Sequence, residues 1–212
     1  MIEFLKSIFS PTQAAGIVQG SGKIISAERS SLQFTQFNKV IVSGATDVHI
    51  KQEKERSVVV IGDENIVPLI RTEVIGDTLH IGCRASYQTK SPIRVGVSVP
   101  DLIDLTVTGA ADVVISNLEQ DNTSIQVGGS GTVTATGRVR QLKLRASGSG
   151  DIFAVSLQAD TVDAKCSGSG DISTTALRSA ILKVSGSGDI KLHGESASVS
   201  LAATGSGAVR IL

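Results

Sequence analysis

Tryptophan is absent from the 212 residues, aromatic residues make up only 3% of them, and there is a single tyrosine. So few rings leave bases and sugar rings with little to stack on. A surplus of charge of one sign is missing too. Twenty basic residues balance 20 acidic ones with no long run of either, so the clustered cationic footprint of a nucleic-acid binder is not written in the sequence. Cysteine is scarce: Cys83 and Cys166 stand in unlike contexts, which excludes a disulfide scaffold and reads as two free thiols, Cys166 being a small buried hydrophobe. No apolar run approaches the ~20 residues of a membrane span. The start, Met1 to Phe9, lacks the basic head and long apolar centre of a signal peptide, so the chain as written reads as soluble and cytoplasmic.

Glycine is what the chain has in quantity, 22 residues against four prolines, and it recurs in a pattern. Ser147-Gly148-Ser149-Gly150-Asp151-Ile152 returns at Ser167-Gly168-Ser169-Gly170-Asp171-Ile172 and at Ser185-Gly186-Ser187-Gly188-Asp189-Ile190. Looser copies begin at Thr108-Gly109, Gly128-Gly129 and Thr204-Gly205, and an isolated early copy is Ser43-Gly44-Ala45-Thr46-Asp47-Val48. The first glycines at 109, 129, 148, 168, 186 and 205 are spaced by 20, 19, 20, 18 and 19 residues, the signature of a stacked repeat.

The columns of this repeat can be read directly. Four residues before each first glycine stand Leu105, Ile125, Leu144, Ala164, Leu182 and Leu201, and two before it Val107, Val127, Ala146, Cys166, Val184 and Ala203. Four after it come Val113, Val133, Ile152, Ile172, Ile190 and Val209, and six after it Ile115, Ala135, Ala154, Thr174, Leu192 and Ile211. All but Thr174 are apolar, while the positions between them are mostly polar: Thr106, Gln126, Arg145, Lys165 and Lys183, then Thr134, Ser173, Lys191 and Arg210. Alternation with period two on both sides of a glycine means two half-buried strands joined by a corner. Six coils stacked at ~4.8 Å predict an all-β parallel β-helix with 18–20-residue coils.

Gly44, Gly109, Gly129, Gly148, Gly150, Gly168, Gly170, Gly186, Gly188, Gly205 and Gly207 are therefore read as corner residues. They are chosen for close coil-to-coil approach and for positive φ. Asp112, Asp151, Asp171 and Asp189 are read as local turn formers beside them.

The rest of the chain is less regular. Residues 1–16 carry an apolar helical stripe, Ile2, Leu5 and Phe9, that ends at Ser10-Pro11; it reads as a capping helix, with a peripheral membrane anchor as the other option. Residues 17–212 form one domain, irregular over 17–100 and regular over 101–212. In the irregular half Ser57–Ile61 is a strand closed by a turn at Gly62-Asp63, Gly76-Asp77 marks a hairpin, Asn65–Arg71 has room for a helical turn, and Ile93–Val99 alternates cleanly.

The SGSGD repeats join an ordered set of blocks: Phe34 and Phe37-Asn38-Lys39-Val40-Ile41-Val42-Ser43-Gly44, then Gly62-Asp63-Glu64-Asn65, Thr72-Glu73-Val74, Ser91-Pro92-Ile93-Arg94-Val95 and Leu105-Thr106-Val107-Thr108-Gly109. Over residues 18–212 the chain resembles the auto-transporter adhesin head GIN domain family of bacterial β-helix proteins, related to "toastrack" modules linked with envelope-stress systems, and the resemblance implies a right-handed parallel β-helix. The resemblance implies a binding, sensing or assembly role at the cell envelope or surface, and supplies no catalytic residue.

The residues themselves nominate no catalytic group, cofactor or metal ligand. The stacked aspartates invite a glycosidase or calcium reading. However, an aspartate present in nearly every coil is part of the repeat rather than of one active site. His49, His80 and His193 have no zinc spacing, and Gly20-Ser21-Gly22-Lys23 lacks the Walker arrangement. The expectation is a non-catalytic binding or scaffold module for a protein or glycan and not for nucleic acid, homo-oligomeric through an open β-helix end. A self-assembling or stress-sensing subunit is the alternative, and a polysaccharide-cleaving enzyme a more distant one. Binding is expected on the outward Lys, Arg, Thr and Gln columns or in residues 51–100.

Overall fold

Alternating inward and outward residues on either side of a corner bury one face of each strand, and stacking then buries the whole inner surface. The computed structural model, which describes residues 17–29, 36–196 and 198–212, is built on that plan. Strand makes up 62% of it, no α-helix occurs among the described residues, and the strands wind into a β-solenoid of about five turns. The six corner copies from Gly109 to Gly205 bound five intervals.

The regular half contains four long strands that bend around the coil: β11 (Val113–Val127), β12 (Val133–Ala146), β13 (Ile152–Cys166) and β14 (Ile172–Val184). β15 (Ile190–His193), β16 (Ser198–Ala203) and β17 (Val209–Ile211) complete it. All neighbours are parallel. Before the corner Ile125, Leu144, Ala164, Leu182 and Leu201 align, and after it Val113, Val133, Ile152, Ile172, Ile190 and Val209 do. Each long strand also forms a third side that the two-strand reading lacks: Leu118–Gln120 pairs with Gly137–Val139, and that segment with Leu157–Ala159. Asn117, at φ +61°, turns the chain into this side.

The irregular half winds out of sequence order. β3 (Lys39–Val42) and β4 (Asp47–Gln52) flank Gly44, β7 is Thr78–Cys83, β9 is Arg94–Val99 and β10 is Asp104–Val107. β3 lies between β7 and β10, and β4 between β9 and β11, so this early coil sits inside one that follows it in the chain. Antiparallel strands close this end. β6 (Ile70–Ile75) returns on β7 through Gly76, at φ +65°, while β5 (Ser57–Asp63) covers β9 and is itself covered by β2 (Ile24–Glu28). β1 (Val18–Gln19) and β8 (Tyr87–Gln88) make a separate parallel pair. The helical turn expected between Asn65 and Arg71 is a 3-10 turn at Val67–Leu69.

One expected turn is a strand. Gly62 and Asp63 belong to β5 and pair with Ile25 and Ile24, and the chain turns only afterwards. Packing is the reason: Ile93 fills the space a Gly62 Cβ would occupy, 2.2 Å from its Cδ1, and the Asp63 side chain is buried beneath the Gly20–Gly22 loop.

The inward columns form one continuous core in which Leu105, Ile125, Leu144, Ala164 and Leu182 are fully buried. The final coil is open, with Leu201, Ile211 and Leu212 exposed at 55%, 55% and 66%. The capping helix expected in residues 1–16, and Phe34, lie outside the described residues.

Thr174 is the one polar residue in its inward column, between Ala154 and Leu192; it is fully buried, and its hydroxyl finds no partner among the described residues. A buried unpaired hydroxyl costs about 1–3 kcal/mol. Thr174→Val is therefore expected to raise the midpoint of urea unfolding, and a lowered midpoint would show that the hydroxyl is needed.

Candidate functional site

The corners account for most of the repeated polar residues. From Gly109 to Gly186 the first glycine's carbonyl accepts two N–H groups from the following coil. Gly148 O takes those of Ser169 and Gly170 at 2.9 and 3.3 Å, and Gly168 O those of Ser187 and Gly188 at 3.0 and 3.2 Å. The approach leaves no room for a side chain. A Cβ on Gly168 would stand 1.9 Å from Gly148 O, and those on Gly109, Gly129, Gly148 and Gly186 would stand 1.9–2.2 Å from the carbonyl of the preceding corner. Gly131, Gly150, Gly170, Gly188 and Gly207 are equally enclosed, at 2.0–2.1 Å. Positive φ, expected throughout the column, occurs among these corner glycines only at Gly44 (+97°) and Gly205 (+104°), in the first and last copies. For the copies between them close approach, not backbone handedness, is the constraint.

The aspartate column is tied into the same stack. Asp151 Oδ1 accepts the N–H of Asp171 at 2.7 Å, Asp171 Oδ1 that of Asp189 at 2.8 Å, and Asp189 Oδ1 that of Ala208 at 2.9 Å. Asp112 does the same for Thr132 at 3.2 Å. Lys191 and Arg210 meet the second oxygens of Asp171 and Asp189 at 3.3 and 3.4 Å. These carboxylates cap backbone donors from coil to coil.

Two contrasts test the corners. Gly168→Val is expected to destabilise by about 3 kcal/mol or more, as an overpacked backbone contact does, whereas Gly128→Ala, whose Cβ would meet nothing nearer than 3.6 Å, stays within about 0.5 kcal/mol. Asp151→Ala should cost about 1–3 kcal/mol by orphaning a backbone N–H. Asp151→Asn, which keeps an accepting oxygen, should cost far less. Urea titration of the four variants reads both contrasts, and equal losses within either pair would contradict the geometry.

The remaining sequence candidates are dispersed. Cys166 is buried in its inward column and donates to Gly170 O at 3.0 Å; burial pushes its thiol up from the ordinary value. Cys83 is half-buried, and both thiols are free. His49, His80 and His193 sit on three different strands, and no three His, Cys, Asp or Glu side chains converge among the described residues. The Gly20–Gly22 loop is held by β5 and its turn: Asp63 accepts the Gly22 N–H at 2.9 Å and a hydroxyl bond from Thr89, while Asn65 bonds Ser21 N and Gln19 O. The Gly62–Asn65 block is thus an anchor for the N-terminal segment.

What remains uncommitted lies on the outward face of the strands before the corner. There Thr106, Gln126, Arg145, Lys165 and Lys183 form one file in strict register, and Asp104, Ser124, Lys143, Asp163 and Ile181 the file beside it. Arg145 holds Asp163 through two bonds, at 2.7 and 3.1 Å, and its guanidinium keeps that carboxyl below the usual range. Lys143, Lys165 and Lys183 are exposed and form no ion pair with any described residue. Gln126, Lys143, Arg145, Ser147, Lys165 and Ser167 border a shallow groove of about 280 Å³. A second groove of about 390 Å³, flanked by Ile103, Leu142, Val162 and Ile181, shares Lys143 with it. Sequence reasoning named the outward columns but saw no cationic cluster, because residues 143–183 become neighbours only when the coils stack.

Comparison with known proteins places this architecture. No curated protein matches the chain. A crystal structure of a putative adhesin from Bacteroides fragilis is similar over 92% of this chain and all of its own, at 26% identity and TM-score 0.73. A putative lipid binding protein from Parabacteroides distasonis is similar over 93% of this chain and all of its own, at 21% identity and TM-score 0.59. A putative adhesin from the same organism also covers 93% and its full length, at 23% identity and TM-score 0.57. The family model described as "Putative auto-transporter adhesin, head GIN domain" matches residues 36–212. The chain therefore belongs to that head GIN domain family.

Proposed function

We propose that this adhesin-type chain is a non-catalytic binding module that offers the outward face before the corners to a macromolecular partner. The observation that carries the reading is the division of labour among its polar groups. The corner carboxylates are engaged by backbone donors of the next coil, whereas Lys143, Lys165 and Lys183 stand free on a face held rigid by continuous ladders. A rigid face loses little conformational freedom on binding, which favours recognition by a preformed surface. The family description and the Bacteroides fragilis relative, named as an adhesin, agree with a binding role.

The reading is tested by incubating the protein with a panel of immobilised proteins and polysaccharides and analysing both retention and products. Retention of a ligand that is recovered at its original chain length is expected. Turnover of any polysaccharide, abolished by Asp151→Asn, would replace the binding module with an enzyme.

A further inference from the structure

The cations of this face are not scattered over it. Arg145, Lys165 and Lys183 occupy the same position in three successive coils, each paired in register with the next, so their backbone positions step along the stack at ~4.8 Å. Two residues on in every case stands a serine: Ser147, Ser167 and Ser185. All three serines are exposed, and none of their hydroxyls bonds to a described residue, unlike those of Thr108 and Thr204 in the same column, which turn back to Val42 O and Val184 O. Each coil thus presents one cation and one available hydroxyl at a fixed offset; Arg145 is the cation already engaged, by Asp163, and Lys143 stands free alongside it.

We propose that this ladder binds a linear acidic polysaccharide, laid along the stack with its carboxylates on Lys165, Lys183 and the neighbouring Lys143 and its hydroxyls on the serines. The match is one of periodicity as well as of charge. A polyuronate carries an anion and free hydroxyls on each sugar, and the length of a sugar residue is comparable to the step between coils. Cations at a repeated spacing recognise a polymer with repeated anions, whereas a lipid headgroup calls for convergence on one point. Single-stranded nucleic acid is disfavoured because these cation and serine files contain no aromatic residue on which bases could stack. Phe153, the exposed phenylalanine among the described residues, lies on the strand after the corner.

The inference rests on the binding-module reading and names its partner. It is tested by calorimetry at physiological salt with polygalacturonate as the probe, against neutral dextran, phosphatidylglycerol vesicles and a single-stranded oligonucleotide. Polygalacturonate is expected to bind more tightly than the other three, and more weakly as salt rises. Lys165→Gln combined with Lys183→Gln should lower the affinity at least tenfold, and Ser167→Ala combined with Ser185→Ala about threefold. Lys54→Gln, on a distant loop, should change nothing. All of these side chains are exposed, so melting curves should be unaltered.

Preference for vesicles or oligonucleotide, equal binding of dextran, or equal losses in the Lys54 control would overturn the proposal. So would an absence of any polygalacturonate heat; if another member of the panel is then retained intact, the binding module stands while this ligand class falls. Cleavage of the polysaccharide would instead count against the binding module itself.

Discussion

Everything in the regular half depends on one contact, a glycine carbonyl held between two backbone N–H groups of the following coil. The contact is repeated from Gly109 to Gly186, and with the carbonyls of Gly109, Gly129, Gly148 and Gly168 1.9–2.2 Å from where a Cβ on the first glycine of the next corner would be, it admits no side chain at that glycine. Its spacing sets that of the strands on both sides, because a corner that stood further off would pull the ladders out of hydrogen-bond distance. The aspartates reinforce the same step from the other end of the turn, each supplying an acceptor to the next coil. Backbone pairing, corner and side-chain cap therefore all repeat at one pitch, and the inward Leu, Ile, Val and Ala residues fill the space this leaves.

The two ends of the stack are treated differently. At the first coil the parallel ladders give way to antiparallel strands, with β6 on β7 and β5 with β2 on β9, and the chain reaches back over its own early coil to arrange this. Such strands cannot be continued by another parallel coil in the same pattern, which is one means of blunting a sheet edge. At the last coil Leu201 and Ile211 occupy inward positions of the repeat yet are more than half exposed, so the column that stabilises every other coil is incomplete there among the described residues.

The regular coils were legible because each one repeats the same instruction: a glycine where backbones touch, and period-two alternation on either side. Thr174, the single polar member of the inward columns, was visible for the same reason. The third side of the coil was not legible, since Leu118–Gln120 and its partners are short and bounded by register shifts rather than by a repeated turn residue. Gly62 and Asp63 misled because a Gly-Asp pair ordinarily marks a turn. Here the glycine makes room for Ile93, and the aspartate anchors a loop 41 residues away in sequence. Neither partner can be read from the local pattern. The cationic face was hidden for a related reason: only Lys143 and Arg145 are close in sequence, within the basic stretch Arg138–Arg145, and Lys165 and Lys183 join them only across coils.

A binding site on such a fold need not be a cleft. In a compact enzyme, elements remote in sequence must converge to surround a small ligand, and the pocket is a single place. In a solenoid each coil adds one copy of the same exposed positions, so the natural ligand is itself periodic and the free energy of binding grows with the number of coils engaged. Individually, an exposed lysine on a neutral protein is worth little, because water and salt screen it. Lys165 and Lys183 in register, with Lys143 in the adjacent file, hydroxyls at a constant offset and Arg145 held in place by Asp163, present a surface that a polymer can engage at several points once the first is bound. On that argument the glycine corners have a functional consequence beyond stability: by fixing the pitch of the stack they fix the spacing of the charges it displays.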